Sequence, residues 1–208
     1  MSALKKITII GPESTGKSSL CAALSDHYQT IWCSEYAREY LLKNGKEYTY
    51  EDLLVIAKGQ LALEDSCVEE VQKAERQKNS GSGKDLSIAL SDSHVAELSG
   101  HQTFPLLFID TDMYVMKVWC EYVFNRCHNF ILEEIATRKY DFYLLCDIDL
   151  PWVADELREY PDEHSRKELF EIYLDILVNQ NVPFEIISGQ NDKRIANAIA
   201  AIEQLFIL

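Results

Sequence analysis

The sequence is short of positive charge. Lysine and arginine together number 20 against 34 aspartates and glutamates, giving a formal net charge of −14 over 208 residues. A surface that acidic repels a phosphate backbone and excludes general binding of nucleic acid, while leaving room for a local basic pocket. Long apolar runs are also missing. None approaches the roughly 20 residues that a membrane-spanning helix needs. The N-terminal MSALKKITII has two lysines but only a short apolar run, and reads as a first strand rather than a targeting segment. No nucleic acid and no membrane are therefore expected as partners, and the expected location is cytoplasmic. The six cysteines (Cys21, Cys33, Cys67, Cys120, Cys127 and Cys146) form no CxxC pair and no His/Cys ligand cluster. They read as buried reduced thiols, which sets aside a disulfide scaffold and a zinc site.

What is present is a 47% hydrophobic composition, enough for one well-buried core, and the reading is a single domain over 1–208. Short β-rich runs alternate with longer helical patterns. Strands are expected at Lys6–Ile10, Thr30–Ser34, Pro105–Ile109, Asp141–Cys146 and Pro183–Ile187. Such apolar runs suit a parallel sheet covered on both faces, an α/β architecture. Helices are expected over Glu51–Gln77, over Leu169–Val178, and over a last segment with Ile195, Ala198, Ile199, Ile202, Leu205 and Phe206 inward. Gly59 interrupts the first of these, as a kink or as a point of close approach. Residues 78–103 are rich in Ser and Gly and read as a mobile insertion with a short helix near Asp92–Leu98. Its Gly81-Ser82-Gly83-Lys84 imitates the end of a phosphate loop, but Asp85 stands where Ser or Thr is needed.

The chemistry-bearing motif is Gly11-Pro12-Glu13-Ser14-Thr15-Gly16-Lys17-Ser18, which fits GxxxxGK[ST] between an expected strand and an expected helix. Its backbone N–H groups and the following helix N-terminus make an anion cradle. Gly11, Glu13, Ser14, Thr15, Gly16, Lys17, Ser18 and Ser19 are the expected nucleotide-holding set, with Lys17 on the β- and γ-phosphates and Ser18 on Mg²⁺. Asp110 follows the third strand, where a carboxylate on the Mg²⁺ side belongs; Asp112 either orients substrate or caps the next helix. Glu35 ends the second strand beside the ligand crevice, where it could take or orient the proton of an acceptor hydroxyl. Arg38, one helical turn on, could hold a phosphate. Asp149 to Arg158, followed by Arg166, reads as an arginine-bearing lid over 150–168 or as a solvated amphipathic segment. Arg194, after the fifth strand, either helps cradle the base or marks a plain strand-to-helix turn.

Missing motifs choose among phosphate-loop classes. Asp110-Thr111-Asp112-Met113 lacks the glycine of a GTPase DxxG, and no NKxD occurs. Thr111 occupies the place where a motor ATPase carries a second acid. An acceptor-side carboxylate and a lid both have candidates, so transfer to a small-molecule acceptor is favoured over hydrolysis. The expected cofactors are ATP and Mg²⁺. An ATP-binding regulatory module acting on a protein partner is the alternative, as is a kinase of another nucleoside- or vitamin-like metabolite.

Taken together, GPESTGKS, SEYAREY, the IAKGQ run at Ile56–Gln60, FIDTD and YDFYLLCDIDLPWVADELR resemble the ribosylnicotinamide kinase domain of the bacterial NAD-biosynthesis regulator, over nearly the whole chain. The resemblance implies a phosphate-loop kinase fold with sheet order 2-3-1-4-5. It implies transfer of the ATP γ-phosphate to the ribose 5′-hydroxyl of nicotinamide riboside. It also assigns the candidate residues: Lys17 and Ser18 to phosphate and Mg²⁺; Glu35, Tyr36, Arg38 and Gln60 to the substrate side; Asp110 and Asp112 to the DTD motif; Arg158 and Arg166 to the lid. Catalysis would rest on Lys17, Glu35, Asp110, Arg158 and Arg166. Two positions depart from the family pattern: Ser34 stands where the family has Trp, and Ala62 where it has Tyr. Trp32, Tyr36 and Trp119 are the aromatics that could replace that clasp or else pack in the core.

Overall fold

A computed structural model describes residues 3–80 and 104–206. The elements, in chain order, are β1 (Lys5–Ile10), α1 (Lys17–His27), β2 (Trp32–Cys33), α2 (Tyr36–Asn44), α3 (Tyr50–Ser80), β3 (Leu106–Asp110), α4 (Met113–Phe124), α5 (Asn129–Thr137), β4 (Phe142–Cys146), α6 (Glu163–Asn179), β5 (Phe184–Ile187) and α7 (Asp192–Phe206). Most of the expected insertion, including its glycine-rich decoy and its short helix, lies outside the described residues. Among the described residues no helix is long and apolar enough to cross a membrane.

The strands form one five-stranded sheet in the order β2-β3-β1-β4-β5, and every pairing is parallel. Side chains alternate between its faces, as the strand period of two requires. Ile7 and Ile9 of β1, Leu106 and Phe108 of β3, and Phe142, Leu144 and Cys146 of β4 turn to one face, where they meet Leu20 and Leu24 of α1 and Ala198 and Ile202 of α7. Ile10, Tyr143 and Leu145 turn to the other, against Val118 of α4 and Leu169, Tyr173 and Leu177 of α6. Leu107 and Ile109 pack there against Cys67 and Val71 of α3. The central strands are apolar at nearly every position because both faces are covered.

Three expectations need adjusting. Leu205 is exposed rather than inward, while Phe206 beside it packs against Phe142 of β4. The helix expected over Leu169–Val178 starts six residues earlier, at Glu163, where the Asp162 carboxylate caps it by accepting from Ser165 N. The nine-residue α5 was not anticipated; Ile131 is its only buried residue, so its apolar stripe is thin. The cysteines are free thiols, five of them buried.

Gly59 is explained by a close approach. The ring of Tyr36 lies across α3 there, and a Cβ on Gly59 would fall 2.1 Å from ring carbon Cε1. The missing side chain is what lets α2 seat against α3.

Candidate active site

β1 lies between β3 and β4, so the chain reverses its direction of travel across the sheet at β1, and the loops at the carboxyl ends of these strands open a crevice. The phosphate loop fills it. Gly11 has φ 139, and a Cβ there would sit 2.9 Å from the Cys146 carbonyl oxygen, so only glycine lets the loop lie this close to β4. The Thr15 hydroxyl donates to the Pro12 carbonyl at 2.8 Å and closes the loop on itself. Lys17 leaves the start of α1 and curls back, its Nζ donating to the Gly11 and Pro12 carbonyls, each at 3.0 Å. Its ammonium thereby stands over the ring of loop amides.

Beside it, the Ser18 hydroxyl donates to Asp110 Oδ2 at 2.5 Å. The other carboxylate oxygen, Oδ1, is buried and has no protein partner. Burial raises the Asp110 carboxyl to about 6, with nearby Glu35 adding to the rise, while Lys17 and the Ser18 bond pull the other way. A serine hydroxyl next to a buried carboxylate oxygen that lacks a donor is a hard, oxygen-only pair. It fits Mg²⁺, which takes one or two protein oxygens and completes its shell with water and phosphate. Among the described residues there is no larger cluster of metal-ligating side chains.

Glu35, the residue before α2, lines the same cavity as Lys17 and Ser18. Its Oε1 accepts from the Thr111 hydroxyl at 3.5 Å. Thr111 is a β-branched residue held at φ 78, which costs of the order of 1–3 kcal/mol. That backbone turn sends the Thr111 hydroxyl toward Glu35 while Asp110 and Asp112 on either side go elsewhere. The sequence reading used Thr111 only to exclude a motor ATPase; nothing in the sequence marks its φ.

The cavity measures about 420 Å³ and runs from the phosphate loop, past Glu35, to a wall of Leu41, Val115, Trp119, Tyr122 and Tyr160. Of the three aromatics that could stand in for the clasp, only Trp119 is on this wall. Trp32 packs against the core on the α1 face, and Tyr36 covers Gly59. Neither Ser34 nor Ala62 is on the wall; both are exposed. The Trp119 indole N–H donates to Tyr48 Oη at 2.8 Å, and the Tyr48 hydroxyl donates to Glu159 of the lid at 2.9 Å. Val115, Val118, Trp119 and Tyr122 are spaced three and four apart, a stripe visible in the sequence. Periodicity alone cannot tell a core stripe from a cavity wall, and Tyr48 gave no signal at all.

Residues 147–162 carry neither helix nor strand and fold over the loop. Arg158 lines the cavity, its Nη1 within 3.2 Å of Ser14 Oγ and also donating to the Val153 carbonyl. Arg38 also lines the cavity, and its guanidinium forms a two-pronged pair with the lid carboxylate Asp155, at 2.9 and 3.2 Å.

Six expected site residues lie off the cavity wall: Asp110, buried against Ser18, and five others. Asp112 caps α4, accepting from Tyr114 N and Val115 N, and takes a further bond from the Tyr143 hydroxyl in the core; of its two sequence readings the structure selects the cap. Gln60 is buried and fastens backbone to backbone: its amide donates to the Ser34 and Asp110 carbonyls and accepts from Tyr36 N. Tyr36 itself packs on α3. Arg166 belongs to α6 rather than to the lid and is buried, donating to the Leu150 carbonyl. Arg194 is buried too. Its guanidinium holds Asp149, the Gly189 and Asp147 carbonyls, and the Thr15 carbonyl of the phosphate loop, so it braces the site from behind. Asp112, Gln60, Arg166 and Arg194 are buried, and the bonds they make go to main-chain atoms or to side chains off the cavity wall.

The chain is similar to known proteins over nearly its whole length. The Escherichia coli (strain K12) trifunctional NAD biosynthesis/regulator protein NadR is 25% identical over 207 residues, which are 97% of this chain and 43% of the relative. The chain thus spans less than half the length of that protein. Two solved structures of NadR, in complex with NR and with NAD and AMP-PNP, superpose with TM-scores of 0.68 and 0.66 at 21% and 20% identity, each covering 98% of this chain and 50% of the other. Thymidylate kinase from Ehrlichia chaffeensis superposes with a TM-score of 0.58 at 11% identity, over 97% of this chain and 100% of the other. The fold is therefore that of phosphate-loop kinases, as the sheet order alone suggests. A family model described as an AAA domain matches residues 6–194, and the chain belongs to that family.

Proposed function

We propose that the protein is an ATP- and Mg²⁺-dependent kinase of a small, nucleoside-like acceptor, and that nicotinamide riboside, giving nicotinamide mononucleotide, is the acceptor to try first. The observation that carries the reading is the shared cavity. Lys17 and Ser18 of the phosphate loop, the carboxylate of Glu35 and the lid guanidinium of Arg158 all line one space that ends in an aromatic wall. A hydrolytic switch has no use for a walled second compartment. The binding of NR and of AMP-PNP by NadR, and a thymidylate kinase with the same fold, support the same reading.

In this reading the loop amides and Lys17 hold the β- and γ-phosphates and neutralise charge that spreads over the γ-phosphoryl group during transfer. Ser18 and Asp110 would hold Mg²⁺, whose charge shields the phosphates from one another and from the acids around them. Glu35 is the group that orients the acceptor hydroxyl and takes its proton. It faces the cavity, whereas Asp110 is buried against Ser18. Arg158 supplies a cation from the lid side, and the closed lid keeps water from competing with the acceptor. Leu41, Val115 and Trp119 offer an apolar face to the acceptor's ring.

The test is ADP release from ATP and Mg²⁺ against a panel of nucleosides and vitamins, nicotinamide riboside included, with mass detection of the product. Stimulation with a product 80 Da heavier than one acceptor is the expected result. Slow hydrolysis that no acceptor stimulates would overturn the reading.

A further inference from the structure

Glu13 is the one acid inside the phosphate loop, in the place where an anion is to be held. Facing that anion it would repel it; instead its carboxylate turns outward to the lid. Oε2 accepts from two consecutive main-chain N–H groups, Glu159 N at 2.9 Å and Tyr160 N at 3.2 Å. The next residue, Ser14, holds the other end of the same lid segment: its Oγ accepts from Val153 N at 2.9 Å and from Arg158 Nη1 at 3.2 Å. Arg158 therefore lies between two tethers that both start in the loop. Arg194 and Arg166 hold the start of the lid, at Asp147, Asp149 and Leu150; farther along, Arg38 with Asp155 and Tyr48 with Glu159 join side chains at the exposed rim. A carboxylate accepting two adjacent N–H groups is the stronger kind of bond, because the acceptor is charged and the donors are fixed in the main chain.

We propose that Glu13 is a positioning residue. Its carboxylate fastens the lid main chain at Glu159 and Tyr160 to the phosphate loop, sets Arg158 over the phosphates and keeps water out of the cavity. The kinetic half of this proposal rests on the kinase reading above; the mechanical half does not. The lid carries no helix or strand of its own between 147 and 162, so its position depends on such tethers. Burial raises the Glu13 carboxyl above its ordinary value, while the two lid amides and Lys17 oppose the rise.

The experiment compares wild type with Glu13→Ala, Glu13→Asp and Glu13→Gln. Ala removes the acceptor oxygen, Asp keeps the charge but withdraws it by one methylene, and Gln keeps an oxygen at the same reach. The first readout is the rate of trypsin cleavage after Arg158, followed by mass spectrometry under native conditions. Ala and Asp should be cut at least about fivefold faster than wild type, and Gln within about twofold. The second is kinetic: kcat for phosphoryl transfer should fall about tenfold in Ala and Asp, with KM for ATP changed less than threefold and a higher ratio of ATP hydrolysed to acceptor phosphorylated. Gln should recover most of the loss. Wild-type cleavage rates in both Ala and Asp would overturn the proposal, as would a raised KM for ATP with unchanged cleavage, which would place Glu13 on the nucleotide. If no acceptor is phosphorylated by the wild type, the kinase reading fails and the cleavage rates alone still decide whether Glu13 holds the lid.

Discussion

The two ends of the cavity are built in opposite ways. The phosphate end comes from eight consecutive residues, Gly11–Ser18, and its binding groups are mostly backbone amides whose direction is set by φ values such as those of Gly11 and Gly16. The other end, the proposed acceptor side, is assembled from side chains far apart in the chain: Glu35 before α2, Leu41 on α2, Trp119 on α4, and Asp155 and Glu159 in the lid. A backbone cradle tolerates change in most of its side chains, because the amides remain. A side-chain wall changes shape with every substitution. The first end can therefore stay constant across kinases of one fold while the second changes acceptor.

Substitutions can break or sharpen the contrast. The largest effect belongs to the phosphate end: Lys17→Ala should cost about 10²–10³ in kcat, of the size seen when a preorganised charge-stabilising donor is lost. A melting temperature close to wild type would show that the loss is chemical. At the junction of the two ends, Glu35→Gln should lower kcat about 10²-fold while KM for ATP stays within a factor of about two; an unchanged kcat would move the base elsewhere.

Next comes a pH effect on stability that separates Asp110 from its neighbour. Asp112 is wholly buried, and burial lifts its carboxyl from 3.8 to about 6 despite the opposing bonds from Tyr143, Val115 and Tyr114. The folded state therefore keeps the proton through a window in which the unfolded chain has lost it. Asp112 thus favours folding most below pH 4, and that contribution fades as pH rises toward 6. The full difference is about 3 kcal/mol. Asp112→Asn should be free of this component, so denaturant midpoints of variant and wild type should converge at low pH and move apart in the variant's favour between pH 4 and 6.5. Parallel curves would refute the assignment.

At the acceptor end the effects are smaller and confined to the acceptor. Trp119→Ala should raise KM for the acceptor about five- to tenfold, the value of an aromatic contact, and leave KM for ATP alone. A rise in both would mean that the indole supports the fold rather than the wall. Smallest of all, Arg38→Ala should change stability by under about 1 kcal/mol, because its pair with Asp155 stands at the solvent-exposed rim. Equilibrium unfolding checks this, and a larger loss would make the pair a principal lid tether.

Local information in the chain matches this outcome. The phosphate loop, the five strands and the long third helix are legible because each is a property of neighbours: an apolar run, a period, a glycine spacing. Asp110 and Glu35 are legible because they follow strands whose carboxyl ends face a crevice. The roles expected of Arg194, Arg166 and Gln60 do not appear on the cavity wall for a common reason. A charged or amide side chain in a sequence looks the same whether it faces a ligand or a buried carbonyl, and only the packed backbone shows which acceptor is nearer. Asp110 and Asp112 make the point within one motif, since the turn at Thr111 sends one toward Ser18 and the other into the cap of α4.

By itself, then, the sequence determined the fold class, the anion cradle and the acids at the strand ends, because these follow from periodicity and from short-range backbone geometry. Tertiary structure alone decided that Trp119 and not Trp32 or Tyr36 forms the aromatic wall, that Gly59 makes room for a tyrosine ring, and that Glu13 turns from the phosphate site to the lid. Those outcomes depend on which groups meet across long separations in the chain, and such meetings are fixed only when the sheet and its helices close around a common core.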